Sequence, residues 1–97
     1  MKALLLNGPG QPFSIENIKD PTPEKGYAVA KVLACGSGLT IQHVKAGRII
    51  VNYPRIIGHE IIGEIVEING QKGDLGIGTP VTAFFYLTCG HCRWCNI

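Results

Sequence analysis

The chain has 97 residues, 45% of them hydrophobic, and a formal net charge of +2, which allows one domain with a modest core. The nine Lys and Arg are scattered among seven Asp and Glu, so the sequence has no basic footprint of a nucleic-acid or membrane-surface binder. No apolar run approaches the ~20 residues of a membrane span, and the apolar start ends at Asn7, too early for a secretory signal. We therefore expect a cytoplasmic protein with no nucleic-acid and no membrane partner.

Short β-rich runs separated by Gly and Pro turns make up most of the chain. The candidate strands cover residues 2–7, 13–18, 27–33, 60–68 and 81–85. The third run is almost evenly apolar, which is typical of a central strand. Many short strands with turn signals between them favour an all-β barrel or sandwich over a parallel sheet.

One short helix is predicted over residues 40–46, after the third strand. Ser37 or Gly38 is placed to cap its start, and Gly47 is placed to end it. About two helical turns are marginal alone, so the helix depends on packing against the barrel. Thr40 and His43 share one helical face, where a hydroxyl and an imidazole can pass a proton outward. The alternative is a helix start beside a surface histidine.

Three of the four cysteines, Cys89, Cys92 and Cys95, have Cys-x-x-Cys-x-x-Cys spacing. This spacing lets one short loop wrap a single metal ion, although three thiolates leave a tetrahedral zinc site one ligand short. Without a signal peptide, metal ligation is favoured over disulfides. Bacterial ferredoxins begin with the same spacing, so an iron–sulfur protein is an alternative. The fourth cysteine, Cys35, ends a predicted strand and is expected in the core.

Gly58-His59-Glu60 stands at the head of the fourth predicted strand. His59 and Glu60 offer an imidazole and a carboxylate for metal binding. The alternative is a turn with a hydrogen-bonded histidine. A dinucleotide fingerprint is absent, because Gly36-Ser37-Gly38 lacks the third glycine of Gly-x-Gly-x-x-Gly.

Taken in this order, residues 34–43, 58–68 and 89–95 resemble the zinc-type medium-chain alcohol dehydrogenase/reductase family, specifically its N-terminal GroES-like catalytic domain. The resemblance implies a GroES-like barrel with a zinc-lobe loop over residues 1–97, and a nucleotide-binding domain outside this chain. It also implies a parent enzyme that oxidises or reduces an alcohol, carbonyl or activated alkene with NAD or NADP. That parent is expected to be a homodimer or homotetramer acting on a small molecule, and the 97 residues alone are expected to be inactive.

The same resemblance assigns roles to individual residues. Thr40 matches the hydroxyl residue that relays the alcohol proton, and His43 matches the outer histidine of the relay. His59 matches a catalytic zinc ligand, and Glu60 matches a neighbouring ligand or near-ligand. The first three structural zinc ligands match Cys89, Cys92 and Cys95. The fourth is expected eight residues beyond Cys95.

Two departures from the family pattern affect the catalytic metal. Gly38 stands where the family has a zinc-binding cysteine, and glycine has no side chain. Ile41 stands where an aspartate steadies the zinc-binding histidine, and it cannot accept a hydrogen bond. We therefore expect structural zinc in the cysteine loop, while His59 and Glu60 need a later ligand to hold a catalytic metal. A GroES-like module without catalytic activity is the remaining alternative.

Overall fold

A computed structural model describes residues 1–70 and 73–97 of the chain. Its elements are β1 (Lys2–Leu6), β2 (Phe13–Asn17), β3 (Tyr27–Cys35), α1 (Leu39–Lys45), β4 (Ile61–Asn69), β5 (Pro80–Thr82) and a 3-10 turn at Arg93–Cys95. The predicted fold class, mainly β with one or two short helices, is confirmed. In this part of the chain no helix is both long enough and apolar enough to cross a membrane.

The strands form two antiparallel sheets. β1 pairs with β2, with Leu4 opposite Ile15, and a second sheet has the order β3-β4-β5. The expectation that residues 27–33 form a central strand is wrong in the described structure, because β3 pairs only with β4. An evenly apolar sequence does not distinguish a central strand from an edge strand, and Val32 and Leu33 on β3 are exposed. β5 also ends at Thr82, three residues before the predicted end.

Among the described residues, the hydrophobic core is formed by side chains from both sheets and from α1. Its buried members are Ala3, Leu5, Leu6, Val44 and Ile65. Leu6 is fully buried, and its backbone exchanges two hydrogen bonds with Arg55, at 2.9 and 3.0 Å. This pairing ties the segment that leads to His59 onto β1, and so it positions the start of β4.

The helix α1 ends in a Schellman motif at Gly47, as the sequence predicts. Gly47 has a φ of +74° and donates its N–H to the Val44 carbonyl at 3.0 Å. The Arg48 N–H bonds the His43 carbonyl at 2.9 Å. These two bonds satisfy carbonyls that the last helical turn otherwise leaves unpaired. Gly38 is the N-cap residue, one of the two predicted candidates.

Candidate functional site

The cysteine loop, residues 89–95, gathers three sulfur atoms at one point. Cys95 Sγ lies 3.7 Å from Cys89 Sγ and 3.4 Å from Cys92 Sγ. All three sulfurs lie within 4.8 Å of one another. Zinc–sulfur bonds of about 2.3 Å in a tetrahedron put the sulfurs about 3.8 Å apart. The thiol separations therefore fit three ligands of one zinc ion.

Local backbone geometry builds this loop. Gly90 turns it with a φ of +74°, and the Cys95 N–H bonds the Cys92 carbonyl at 3.0 Å. The His91 Nδ1 bonds the Cys89 carbonyl oxygen at 2.7 Å, and the Cys92 N–H bonds the Cys89 sulfur at 3.3 Å. Backbone hydrogen bonds lower the pKa of the Cys89 thiol from 9.0 to about 7, with the largest effect from His91 and the next from Cys92. A thiol with that pKa is substantially ionised at neutral pH, which is the form that binds metal.

A second polar region, the Glu60 corner, comprises residues 35–38 and residues 59 and 60. Cys35 lies opposite Ile61 in the β3–β4 ladder, and the Gly36 N–H continues that ladder to the Glu60 carbonyl at 2.7 Å. An open depression of about 550 Å³ adjoins this corner. Its lining residues include four with polar side chains: Cys35, His59, Glu60 and Thr82.

The Glu60 carboxylate lies over the two glycines of the corner. A Cβ atom built on Gly38 would overlap Glu60 Oε1, and one built on Gly36 would overlap Glu60 Oε2. The absence of side chains at these two positions therefore leaves room for the carboxylate. This close approach was not foreseen from the sequence, because it depends on the register between β3 and β4.

The structure brings together two of the four predicted catalytic residues. His59 and Glu60 line the depression, whereas Thr40 and His43 lie on α1 and are not part of its lining. The His43 Nδ1 lies 3.2 Å from Arg48 NH1, and no hydrogen bond joins His43 to Thr40 among the described residues. The proton relay from Thr40 to His43 stays a prediction.

Among the described residues, the Glu60 corner offers two adjacent metal-donor side chains, His59 and Glu60. Within residues 1–70 and 73–97, the only cluster of three Cys, His, Asp or Glu side chains close enough to share an ion is the cysteine loop. His59 and Glu60 gain no third ligand from Cys35, and Gly38 has no side chain to offer. The two sequence departures at Gly38 and Ile41 thus coincide with a corner in which the described residues bring no third donor side chain to His59 and Glu60.

The burial of Cys35 was predicted wrongly, and the position of Phe85 beside His59 was not predicted. Cys35 was expected in the core but is exposed, like every residue of β3 except Val29. The Phe85 ring lies 5.3 Å from the His59 ring, and Phe84 and Tyr86 contact Phe85 in turn. The signal was present in the sequence as a run of large apolar residues, 84–87, that continues past the end of β5.

The fold and the site together define a mainly β domain with a three-cysteine loop and a separate polar depression. Residues 24–97 match the alcohol dehydrogenase GroES-like domain. The chain belongs to this family, which confirms the resemblance drawn from its motifs and the GroES-like fold.

Three similar proteins illustrate the relationship. Acryloyl-coenzyme A reductase of Sulfurisphaera tokodaii is 31% identical over 100% of this chain and 29% of its own length. L-threonine 3-dehydrogenase of Cutibacterium acnes is 31% identical over 98% of this chain and 29% of its own. The structure of a short chain alcohol dehydrogenase from E. coli CFT073, complexed with NADH, superposes with a TM-score of 0.86 at 33% identity, over 99% of this chain and 28% of that one. The chain thus spans less than a third of each of these proteins.

Proposed function

We propose that this chain is the N-terminal part of the catalytic domain of an NAD(P)-dependent oxidoreductase. The substrate is a small alcohol, carbonyl compound or activated alkene. The observation that carries the proposal is the zinc-like clustering of Cys89, Cys92 and Cys95 in a chain of the alcohol dehydrogenase GroES-like family. Relatives named as a dehydrogenase and a reductase, and a similar structure holding NADH, support nicotinamide chemistry.

Zinc in the cysteine loop has a structural role in this proposal. The loop presents three cysteine sulfurs, and a fourth ligand comes from a later part of the protein. Cys89, Cys92 and Cys95 would hold the zinc ion, which would cross-link the loop and restrict residues 89–95 to one conformation. None of the loop residues lines the depression, so the loop is assigned no part in the chemistry.

The chemistry is assigned to the depression and to α1. Reduced nicotinamide, when bound by a domain outside this chain, supplies a hydride to the carbonyl or alkene carbon. The residues of this chain handle the matching proton, which Thr40 passes to the substrate and His43 replaces from solvent. His59 and Glu60 face the substrate across the depression. In the oxidative direction the same groups carry the proton away.

The proposal is tested on the full natural chain that contains these residues. Metal content is measured by atomic emission, and oxidation of NADH or NADPH is followed with a panel of aldehydes, ketones and activated alkenes. We expect a colourless protein with one zinc per chain, and turnover that falls sharply in Thr40→Ala. Zinc with no turnover on any substrate class would contradict the catalytic assignment, and a brown protein would point instead to an iron–sulfur cluster.

A GroES-like binding module is the second candidate. It is favoured by one specific observation, the lack of a catalytic metal-binding geometry around Gly38. Such a module keeps the zinc and lacks turnover, so the same measurements separate the two functions. The isolated 97 residues are uninformative for activity, because we expect them to bind NAD(P) no more tightly than the millimolar range.

A further inference from the structure

We infer that the Glu60 corner is built to work without a metal, with the Glu60 carboxylate occupying the space that a ligand side chain at residue 38 needs. The corner and a ligand-bearing residue 38 are then mutually exclusive in this conformation. The polar groups offered to a substrate are Cys35, His59, Thr82 and the carboxylate itself. The experiments below measure metal content and stability, not turnover. Their outcome can therefore reject this inference while leaving the proposed oxidoreductase activity untouched.

The first step is the placement of the Glu60 side chain. Because Gly36 and Glu60 share a backbone hydrogen bond of 2.7 Å at the end of the β3–β4 ladder, the two residues face each other across neighbouring strands. Gly38 lies two residues further along extended backbone, with φ −80° and ψ 178°. Alternate residues of an extended segment project to one side. A carboxylate that lies over position 36 therefore also lies over position 38.

The second step is that the two carboxylate oxygens of Glu60 lie beside different glycines. Each oxygen is in the path of one missing side chain, Oε2 at Gly36 and Oε1 at Gly38. At Gly36 a built Cβ would also lie 2.9 Å from Glu60 Cβ and 3.0 Å from Cδ. At Gly38 the next atom is Glu60 Cδ, at 3.3 Å. A side chain at Gly38 therefore competes with the movable end of Glu60.

The third step is the consequence for metal binding. A residue at position 38 that ligates a metal would have to displace the carboxylate, and the present residue offers no ligand. In the part of the chain that the structure describes, the corner offers one imidazole and one carboxylate, whereas ordinary catalytic zinc sites have three protein ligands. Glu60 thus fills the space that a side chain at position 38 would need.

The metal part of the inference is tested with His59→Asn in the full natural chain, dialysed against zinc and then desalted. We expect the wild type and His59→Asn to carry the same single zinc per chain, since that ion belongs to the cysteine loop. Two zincs in the wild type, or the loss of a zinc in His59→Asn, would overturn the inference.

The steric part is tested by a double-mutant cycle on the thermal midpoint of unfolding, with Gly38→Ala, Glu60→Ala and the double variant. We expect Gly38→Ala to lower the midpoint by about 2 °C when Glu60 is present and by less than half as much when residue 60 is alanine. Equal shifts in the two backgrounds would show that the two positions do not compete, and would reject the inference. Because alanine is small at both positions, all four proteins are expected to fold.

Discussion

The cysteine loop and the Glu60 corner both carry metal-donor side chains, yet among the described residues only the loop brings three of them together. The loop takes its three ligands from residues 89–95, joined by tight turns at Gly90 and at Arg93–Cys95. The corner is assembled from the end of β3 and the start of β4, across the sheet. In the loop, the sequence spacing of the cysteines is enough to bring the three sulfurs together. In the corner, the positions of the side chains depend on strand pairing, and the Glu60 carboxylate occupies the space beside Gly38.

The largest expected effect comes from removing a ligand of the loop. Cys92→Ser removes a direct ligand of the zinc ion and should lower zinc affinity by more than about 100-fold. Loss of a residue that only hydrogen-bonds to a ligand lowers metal affinity by up to about 100-fold, so loss of the ligand itself should cost more. Zinc per chain after desalting against a weak chelator measures this. Cys35→Ser is the matched control, since Cys35 is a free, exposed cysteine outside the loop. Equal zinc loss in both variants would mean that the metal is not held by the loop.

The corner is probed by two alanine substitutions that differ in what the new methyl group meets. Gly36→Ala places a Cβ 2.9 Å from Glu60 Cβ, and a backbone hydrogen bond of 2.7 Å holds these two residues together. We expect it to cost about 1–3 kcal/mol of unfolding free energy, as overpacking does. Gly38→Ala meets the carboxylate end, which can rotate away, and should cost less than about 1 kcal/mol. Chemical denaturation measures both, and the reverse order would contradict the described placement of Glu60.

The contrast also explains what could be predicted from the sequence. The cysteine loop was foreseen because the spacing of Cys89, Cys92 and Cys95 contains the information that places the sulfurs. The end of α1 was foreseen because Gly47 supplies the left-handed conformation that its stop requires.

Features that depend on pairing across the fold were not foreseen. The edge position of β3 depends on which strands flank it, and an apolar sequence is the same in either place. Cys35 is exposed together with nearly all of β3, because side-chain burial depends on what covers the faces of the strand. The Glu60 carboxylate reaches Gly36 and Gly38 only through the β3–β4 register, in which Cys35 lies opposite Ile61. The Phe85 contact with His59 likewise joins residues that lie far apart in the sequence.

The stop of α1 gives a test of how firmly the helix beside the corner is held. Gly47 and Gly10 have nearly the same φ, +74° and +75°, but a Cβ on Gly47 would lie 2.9 Å from Pro9 Cβ, whereas one on Gly10 meets nothing within 4 Å. Alanine at Gly10 should cost about 1 kcal/mol for the left-handed conformation. Alanine at Gly47 should cost about 2 kcal/mol, because the contact adds to the same strain. Denaturation curves compare the two, and equal losses would show that Pro9 yields freely.

The smallest expected effect concerns the link between α1 and the segment that leads to the corner. The Tyr53 hydroxyl donates to the Val44 carbonyl at 3.2 Å in a half-buried position. Tyr53→Phe keeps the ring and removes this one bond, so we expect a loss of about 0.5–1 kcal/mol in denaturation experiments. Tyr27→Phe is the control, because the Tyr27 ring is exposed and its hydroxyl has no hydrogen-bond partner among the described residues. Since Leu6 and Arg55 already fix the segment by two backbone bonds, the zinc content of Tyr53→Phe should stay that of the wild type. If Tyr53→Phe lost more unfolding free energy than Gly47→Ala, the Tyr53 hydroxyl would contribute more to holding α1 beside the corner than the backbone pairing of Leu6 with Arg55.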